Sequence, residues 1–163
     1  MDFGLSTDGF IENRALDTLI LQSGASLRLI DLEHNGNRGG AGGSAEALYA
    51  RNIFFGPGAS VDLNGLRLYY QNGGTTKQLY MGDATLDGIV DMKDYTTWFA
   101  NYGRTAGADW YAGDFNGDGI VDMHDYVTWF NNFGEGSLSV PEPGTLALLA
   151  LGAPLLYRRA RKR

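Results

Sequence analysis

Apolar and polar residues alternate with period two through two stretches of the N-terminal half. In residues 16–32, LDTLILQSGASLRLIDL, Leu19 and Leu21 lead into a Ser-Gly-Ala-Ser break, and Leu27 and Leu29 follow it. In residues 51–73, Ile53 and Phe55 run into a Gly-Pro-Gly turn, and Val61 and Leu63 run into Asn64-Gly65. Leu66, Leu68 and Tyr70 complete that stretch. Alternation of this kind, broken by strong turn dipeptides, predicts short strands joined by tight turns. Two Gly-Ala-Ser triplets lie 34 residues apart, which points to successive coils of one winding. A small antiparallel meander fits the same alternation.

Further on the period changes from two to that of a helix. Tyr95, Trp98, Phe99 and Tyr102 recur at i, i+3, i+4 and i+7, and so do Tyr126, Trp129, Phe130 and Phe133. Each stripe ends at a glycine, Gly103 or Gly134. The pattern predicts two amphipathic helices whose aromatic faces form a shared core. Residues 82–103 and 113–134 match at 15 of 22 positions with an offset of 31, so the segment is an internal duplication. Val90 and Val121 are expected to face each other across a short two-stranded contact. Trp110 and Tyr111, between the repeats, are expected to pack on both helices.

Ahead of each helix stands an acidic loop. The second carries Asp114, Asn116, Asp118, the Ile120 carbonyl, Asp122 and Asp125 at positions 1, 3, 5, 7, 9 and 12, with Gly119 at position 6. The first carries Asp83, Thr85, Asp87, the Ile89 carbonyl, Asp91 and Asp94, with Gly88 at position 6. This spacing supplies the hard oxygen ligands that calcium prefers and the glycine for a sharp turn. Packed carboxylates repel one another unless a cation stands among them. Two calcium ions are therefore expected. Thr85 is the poorer donor at position 3, so the second loop should bind more tightly.

Residues 82–134 resemble a type I dockerin domain, in which each of two calcium loops is followed by a helix. The resemblance implies an all-α pair of loop–helix motifs over residues 79–135 and docking to a cohesin-like protein module. The partner-reading positions it implies are Met92, Lys93, Phe99 and Ala100, then Met123, His124, Phe130 and Asn131. The usual Ser-Thr at the first pair of each repeat is replaced by Met92-Lys93 and Met123-His124. Residues 14–72 resemble the C-terminal rungs of a parallel β-helix of the kind found in secreted and autotransported proteins. The fold class expected is therefore mixed: a short β-rich region over residues 1–72, a linker over 73–78, the dockerin-like pair over 79–135, a linker over 136–139 and a hydrophobic tail over 140–163.

Charge and composition sharpen the tail. Of 163 residues 24 are glycine and none is cysteine, so no disulfide framework holds the chain. Residues 1–140 hold 18 acids and 8 strong bases, a balance of −10, while Arg158, Arg159, Arg161, Lys162 and Arg163 end the chain. An acidic body argues against nucleic acid as a partner. The end reads Pro141-Glu142-Pro143, an apolar run from 146 to 157 interrupted by Pro154, then the basic cluster. It resembles a PEP-CTERM sorting signal. That resemblance implies export to the cell envelope, transient inner-membrane retention through residues 146–157, and processing by an exosortase-type membrane protease. A sorting signal of this kind also implies an N-terminal signal peptide, and MDFGLSTDGFIEN lacks the apolar core of one. The chain is therefore expected to be the tail of a larger protein.

Two functions compete. One is a non-catalytic calcium-binding anchoring module at the C-terminus of an exported envelope protein. The other is the C-terminal fragment of a secreted polysaccharide-degrading β-helix enzyme whose catalytic part lies upstream. Glycosidases need two carboxylates on a rigid cleft. Asp2, Asp8, Glu12, Asp17, Asp31, Glu33, Glu46 and Asp62 form no recognisable pair in residues 1–78. No catalytic residue is expected in this chain. His34, on the shoulder of the glycine-rich stretch 35–44, is read as a surface residue. Intracellular calcium sensing is disfavoured because the loops lack entering helices.

Overall fold

The computed structural model describes residues 2–12, 15–31 and 46–137. Glu33, His34, the glycine-rich stretch and the whole sorting tail lie outside the described residues. The elements in order are α1 (Gly9–Glu12), β1 (Leu16–Leu21), β2 (Ser26–Arg28), β3 (Ala47–Phe55), β4 (Ser60–Asp62), β5 (Arg67–Asn72), β6 (Thr75–Gln78), α2 (Met92–Asn101) and α3 (Met123–Asn132). A single 3-10 turn, Trp110–Ala112, lies between the last two helices. The fold is mixed, with an open sheet and two short loop-fed helices.

Strands β1, β3, β5 and β6 form one sheet in that order, and β2 and β4 form a second. β1 pairs with β3 in parallel, Leu16 opposite Ala50 and Leu21 opposite Phe55. β2 pairs with β4 in parallel, Ser26 opposite Ser60. Both pairings carry the 34-residue offset of the Gly-Ala-Ser triplets, which excludes the antiparallel meander over these strands. The reason lies in the turns. Gly24 and Gly58, both at positive φ, bend the chain at equivalent points of the two coils, and the Gly24 N–H donates to the Pro57 carbonyl at 2.9 Å.

β5 then pairs in parallel with β3, and β6 pairs antiparallel with β5. Residues 73–78 are therefore not a linker. Gly73 and Gly74 both have positive φ and make a two-residue hairpin with Asn72 opposite Thr75. The last coil is closed by a strand that leads directly into the first acidic loop.

Alternation along the strands buries Leu21, Ile53, Phe55, Val61, Leu68 and Tyr70. These pack in one cluster with Leu79, Val90, Trp110, Phe115 and Trp129, so the core of the sheet continues into the repeats. Each large apolar side chain fully buried there contributes about 1.5–3 kcal/mol. On the opposite face Tyr49 stacks on Tyr69 with ring centroids 4.9 Å apart, and Phe10 meets Tyr49 edge-on at 5.2 Å. Asp2 accepts from Arg67 at 2.6 Å beneath them. The N-terminal segment is thus a cover for the outer face of β3 and β5.

Candidate metal centre

Each acidic loop feeds its helix through a capping box. Asp91 caps α2 and accepts from the Lys93 N–H, while Asp94 accepts from the Asp91 N–H at 2.8 Å. Asp122 and Asp125 repeat the arrangement on α3, the latter accepting from the Asp122 N–H at 2.9 Å. Positions 9 and 12 of the loop therefore hold the helix N-terminus, where carboxylates satisfy otherwise orphaned N–H groups. Gly88 and Gly119 at position 6 both have φ of +81°, the turn foreseen there. Their N–H groups donate to position 1: Gly88 to Asp83 at 2.9 Å and Gly119 to Asp114 at 2.8 Å.

The two repeats close on each other through reciprocal contacts. Val90 exchanges backbone hydrogen bonds with Gly134 and Glu135, and Val121 does so with Gly103 and Arg104. The valines do not pair with one another, the arrangement expected from their shared position 8 in the two loops. Each loop is instead sealed by the chain leaving the other repeat's helix. Trp98 Nε1 donates to the Asp122 carbonyl at 2.9 Å, and Trp129 Nε1 to the Asp91 carbonyl at 3.0 Å. The shared aromatic core is also smaller than the stripes implied. Trp98 and Trp129 are buried and Tyr95 and Tyr126 half-buried, while Phe99, Tyr102, Phe130 and Phe133 are exposed. Trp110 stacks on Phe55 of β3 at 4.7 Å and meets Phe115 edge-on. Its place is therefore between the sheet and the second loop.

The sequence-predicted ligands separate into two groups. Asp83, Asp94, Asp114 and Asp125, at positions 1 and 12, have no solvent exposure at all. Burial raises the proton affinity of all four, with neighbouring carboxylates adding to it, and pushes Asp83 up to about 7. Thr85 Oγ1 lies 3.0 Å from Asp94 and 3.4 Å from Asp83, so it joins the two ends of the first loop. The position 5 and 9 carboxylates turn to local partners. Asp87 accepts from the Ile89 N–H and from Lys93 Nζ at 2.8 Å. Asp118 accepts from the Ile120 N–H and from the Asn116 side chain at 3.0 Å. Asp91 and Asp122 accept from the amides of Lys93 and His124.

Among the described residues no three Asp, Glu, His or Cys side chains stand close enough together to hold a metal ion. The donor set nonetheless fits a hard cation in chemical type. Two buried carboxylates per loop meet no Lys or Arg side chain among the described residues, since the ion pairs at the loops reach only Asp87, Asp91 and Asp122. The other oxygens the spacing assigns belong to Asp87, Asp91, Asp118, Asp122, Thr85, Asn116 and the carbonyls of Ile89 and Ile120.

Of the partner-reading positions, Met92, Phe99, Met123 and Phe130 are exposed apolar side chains at matching points of α2 and α3. Lys93, Ala100, His124 and Asn131 are exposed beside them. Alternation and helical spacing missed Tyr70 and Asn72, which reach the first loop from β5. Tyr70 Oη lies 3.4 Å from Asp83 Oδ2, and Asn72 Nδ2 donates to the Leu86 carbonyl at 2.7 Å. The Gly73-Gly74 dipeptide was the signal for the hairpin that brings them there.

Comparison with known protein families finds the PEP-CTERM protein-sorting motif over residues 139–162. This chain carries a C-terminal sorting region of an exported protein. No curated protein and no solved structure matches the chain. The comparisons therefore supply no dockerin or β-helix homology. The expected membrane insertion of residues 146–157 is corrected. Among the described residues no helix is long and apolar enough to cross a membrane, and 146–157 lies outside them. A run of that length, interrupted by Pro154, is also short of the roughly 20 residues a helical span requires. What the motif implies is recognition by an exosortase-type protease.

Proposed function

We propose that residues 79–135 form a dockerin-like, calcium-stabilised module that closes the end of a β-coil in an exported cell-envelope protein. One observation carries this reading. A duplicated loop twice buries the carboxylates at its first and twelfth positions, where charge without a counter-ion is costly. The cation is Ca2+, held by Asp83, Thr85, Asp87, Ile89, Asp91 and Asp94 in one loop. Asp114, Asn116, Asp118, Ile120, Asp122 and Asp125 hold it in the other. When bound, it neutralises the loop carboxylates and lets them remain ionised inside the fold. Asp87 and Asp118 would exchange their present side-chain partners for the ion. The module is non-catalytic and serves to anchor and close the coil it follows.

The test is calcium titration of the full chain, read by calorimetry and tryptophan fluorescence. Two unequal binding events are expected, the tighter in the second loop, with a rise in the thermal midpoint. A chain whose heat signal and midpoint ignore millimolar calcium overturns the reading. The sorting region is tested by the intact mass of the mature protein from its native host. A mature form still ending at Arg163 counts against removal of the tail.

A second reading is supported by the parallel register of the coils. Two pairings with one 34-residue offset are what the terminal rungs of a longer β-helix would show, and such a helix could carry a polysaccharide-degrading site upstream. Turnover of a polysaccharide by purified residues 1–140 would overturn the non-catalytic reading of this chain.

A further inference from the structure

The two loops differ in what lies outside them. Asp83 receives, besides its own loop's N–H groups, the Tyr70 hydroxyl from β5 at 3.4 Å. Asp114 accepts from Gly117 and Gly119 of its own loop. The Asp83 carbonyl accepts from Trp110 Nε1 at 2.5 Å. At position 4 the second loop has Gly117 at φ +75°, and the first has Leu86 at φ +52°. A leucine in the left-handed region costs about 1–2 kcal/mol. Two contacts hold it there: Leu86 is buried in the core shared with the sheet, and its carbonyl accepts from Asn72 at 2.7 Å. Gly88, at the turn, lies so close to β6 that a Cβ on it would stand 2.9 Å from Lys77 Cδ. The first loop is therefore shaped by β5 and β6 at positions 1, 4 and 6.

From this geometry we propose that Tyr70 and Asn72 are positioning residues for the cation of the first loop, and that calcium there clamps the last coil of the sheet. The proposal rests on the calcium reading above. Tyr70 touches the carboxylate at position 1 and not the ion, orienting it as partners behind metal ligands do. Asn72 fixes the backbone between positions 3 and 5. Binding and strand order are then reciprocal: whatever holds β5 in place raises affinity in loop 1, and calcium in loop 1 holds β5 and β6. The second loop has no equivalent tie to a strand side chain among the described contacts, so its affinity is independent of β5.

The experiment reads each loop alone in the full chain. Asp118→Ala disables the second loop and Asp87→Ala the first, and calcium affinity is measured by calorimetry. In the Asp118→Ala background, Tyr70→Phe is expected to weaken binding about ten-fold, the low end of effects seen for such partners. In the Asp87→Ala background it is expected to change nothing. Asn72→Ala, on a strand-end residue, should act in the same direction and guards against a folding defect in the first variant. The second readout is amide hydrogen exchange across 69–78. Calcium should slow it in the Asp118→Ala chain and fail to do so once Tyr70→Phe is added. Equal weakening of both loops, or no weakening of the first, overturns the proposal while leaving calcium binding intact. A parent chain that takes up no calcium overturns both.

Discussion

The two loops share a recipe and differ in their supports. The second has glycine at position 4, and its Gly117 lies close against Ala59 and against Ser60, the first residue of β4. The first has leucine there and is held by hydrogen bonds from β5. Among the described residues the second loop thus meets the coil through apolar packing and close backbone approach, while the first adds directed polar contacts. The duplicated sequence fixes what a loop is. Divergence at a few positions decides which neighbour it depends on.

The largest separation should come from the metal itself. At a calcium concentration one hundred times the dissociation constant, each occupied site adds about 2.7 kcal/mol to folding. Chelation should therefore lower the thermal midpoint sharply, and Asp118→Ala should forfeit more of the calcium-dependent gain than Asp87→Ala. Scanning calorimetry with calcium and with chelator makes the comparison. Equal losses from the two variants would abolish the ranking of the loops.

Next in size is the packed glycine. A Cβ at Gly117 would stand 2.5 Å from the Ser60 Cβ, on a backbone with φ of +75°. Gly117→Ala should cost about 2–4 kcal/mol from the left-handed backbone and the overpacking together. Denaturant unfolding would show it, and a loss below measurement error would mean that loop 2 does not bear on β4.

Acidity should distinguish the loops in metal-free protein. Asp83 has a folded value of about 7 against an ordinary 3.8, raised by burial. The native state then holds a proton that the unfolded state has released between those values, so apo stability falls as pH rises from about 4 to 7. Calcium should flatten or reverse that slope, because the ion takes the proton's place. Asp83→Asn should remove much of the decline. Urea midpoints across this pH range decide it, and a metal-free chain that gains stability towards neutral pH contradicts the assignment.

The smallest effect belongs to Lys93. Its ammonium is 2.8 Å from Asp87, a proposed ligand, while His124 at the equivalent place leans on Asp122. Lys93→Ala should tighten the first loop by a few-fold and leave the second unchanged. The pair is exposed, so only a modest gain is expected.

Several of these features were visible in the residue string. The Gly-Ala-Ser triplets set the parallel register, because turns that recur at a fixed distance impose the same offset on every strand between them. The position 6 glycines followed from spacing. Partner choice across the fold did not. Alternation shows which residues of β5 point inwards, but Tyr69 and Tyr70 are both buried, on opposite faces, once the N-terminal segment covers the outer one. The valine at position 8 carries no mark saying which strand it will meet. The first loop's dependence on Tyr70 and Asn72 is a long-range contact across a hairpin, and its local trace was a leucine where the other repeat has glycine.

The reciprocal seal between the repeats has a mechanical side. The chain leaving α3 is stitched to Val90 at Gly134 and Glu135, and Gly136 lies directly over the Gly88 carbonyl. A pull on the sorting end would therefore act first on the opening loop of the module, not along the axis of its last helix. That loop is fastened to β5, so the load passes in shear across short backbone links and from there into the coil. Tension at the tail and the ion proposed for the first loop would then lie in one line of force, with that ion acting as the rivet.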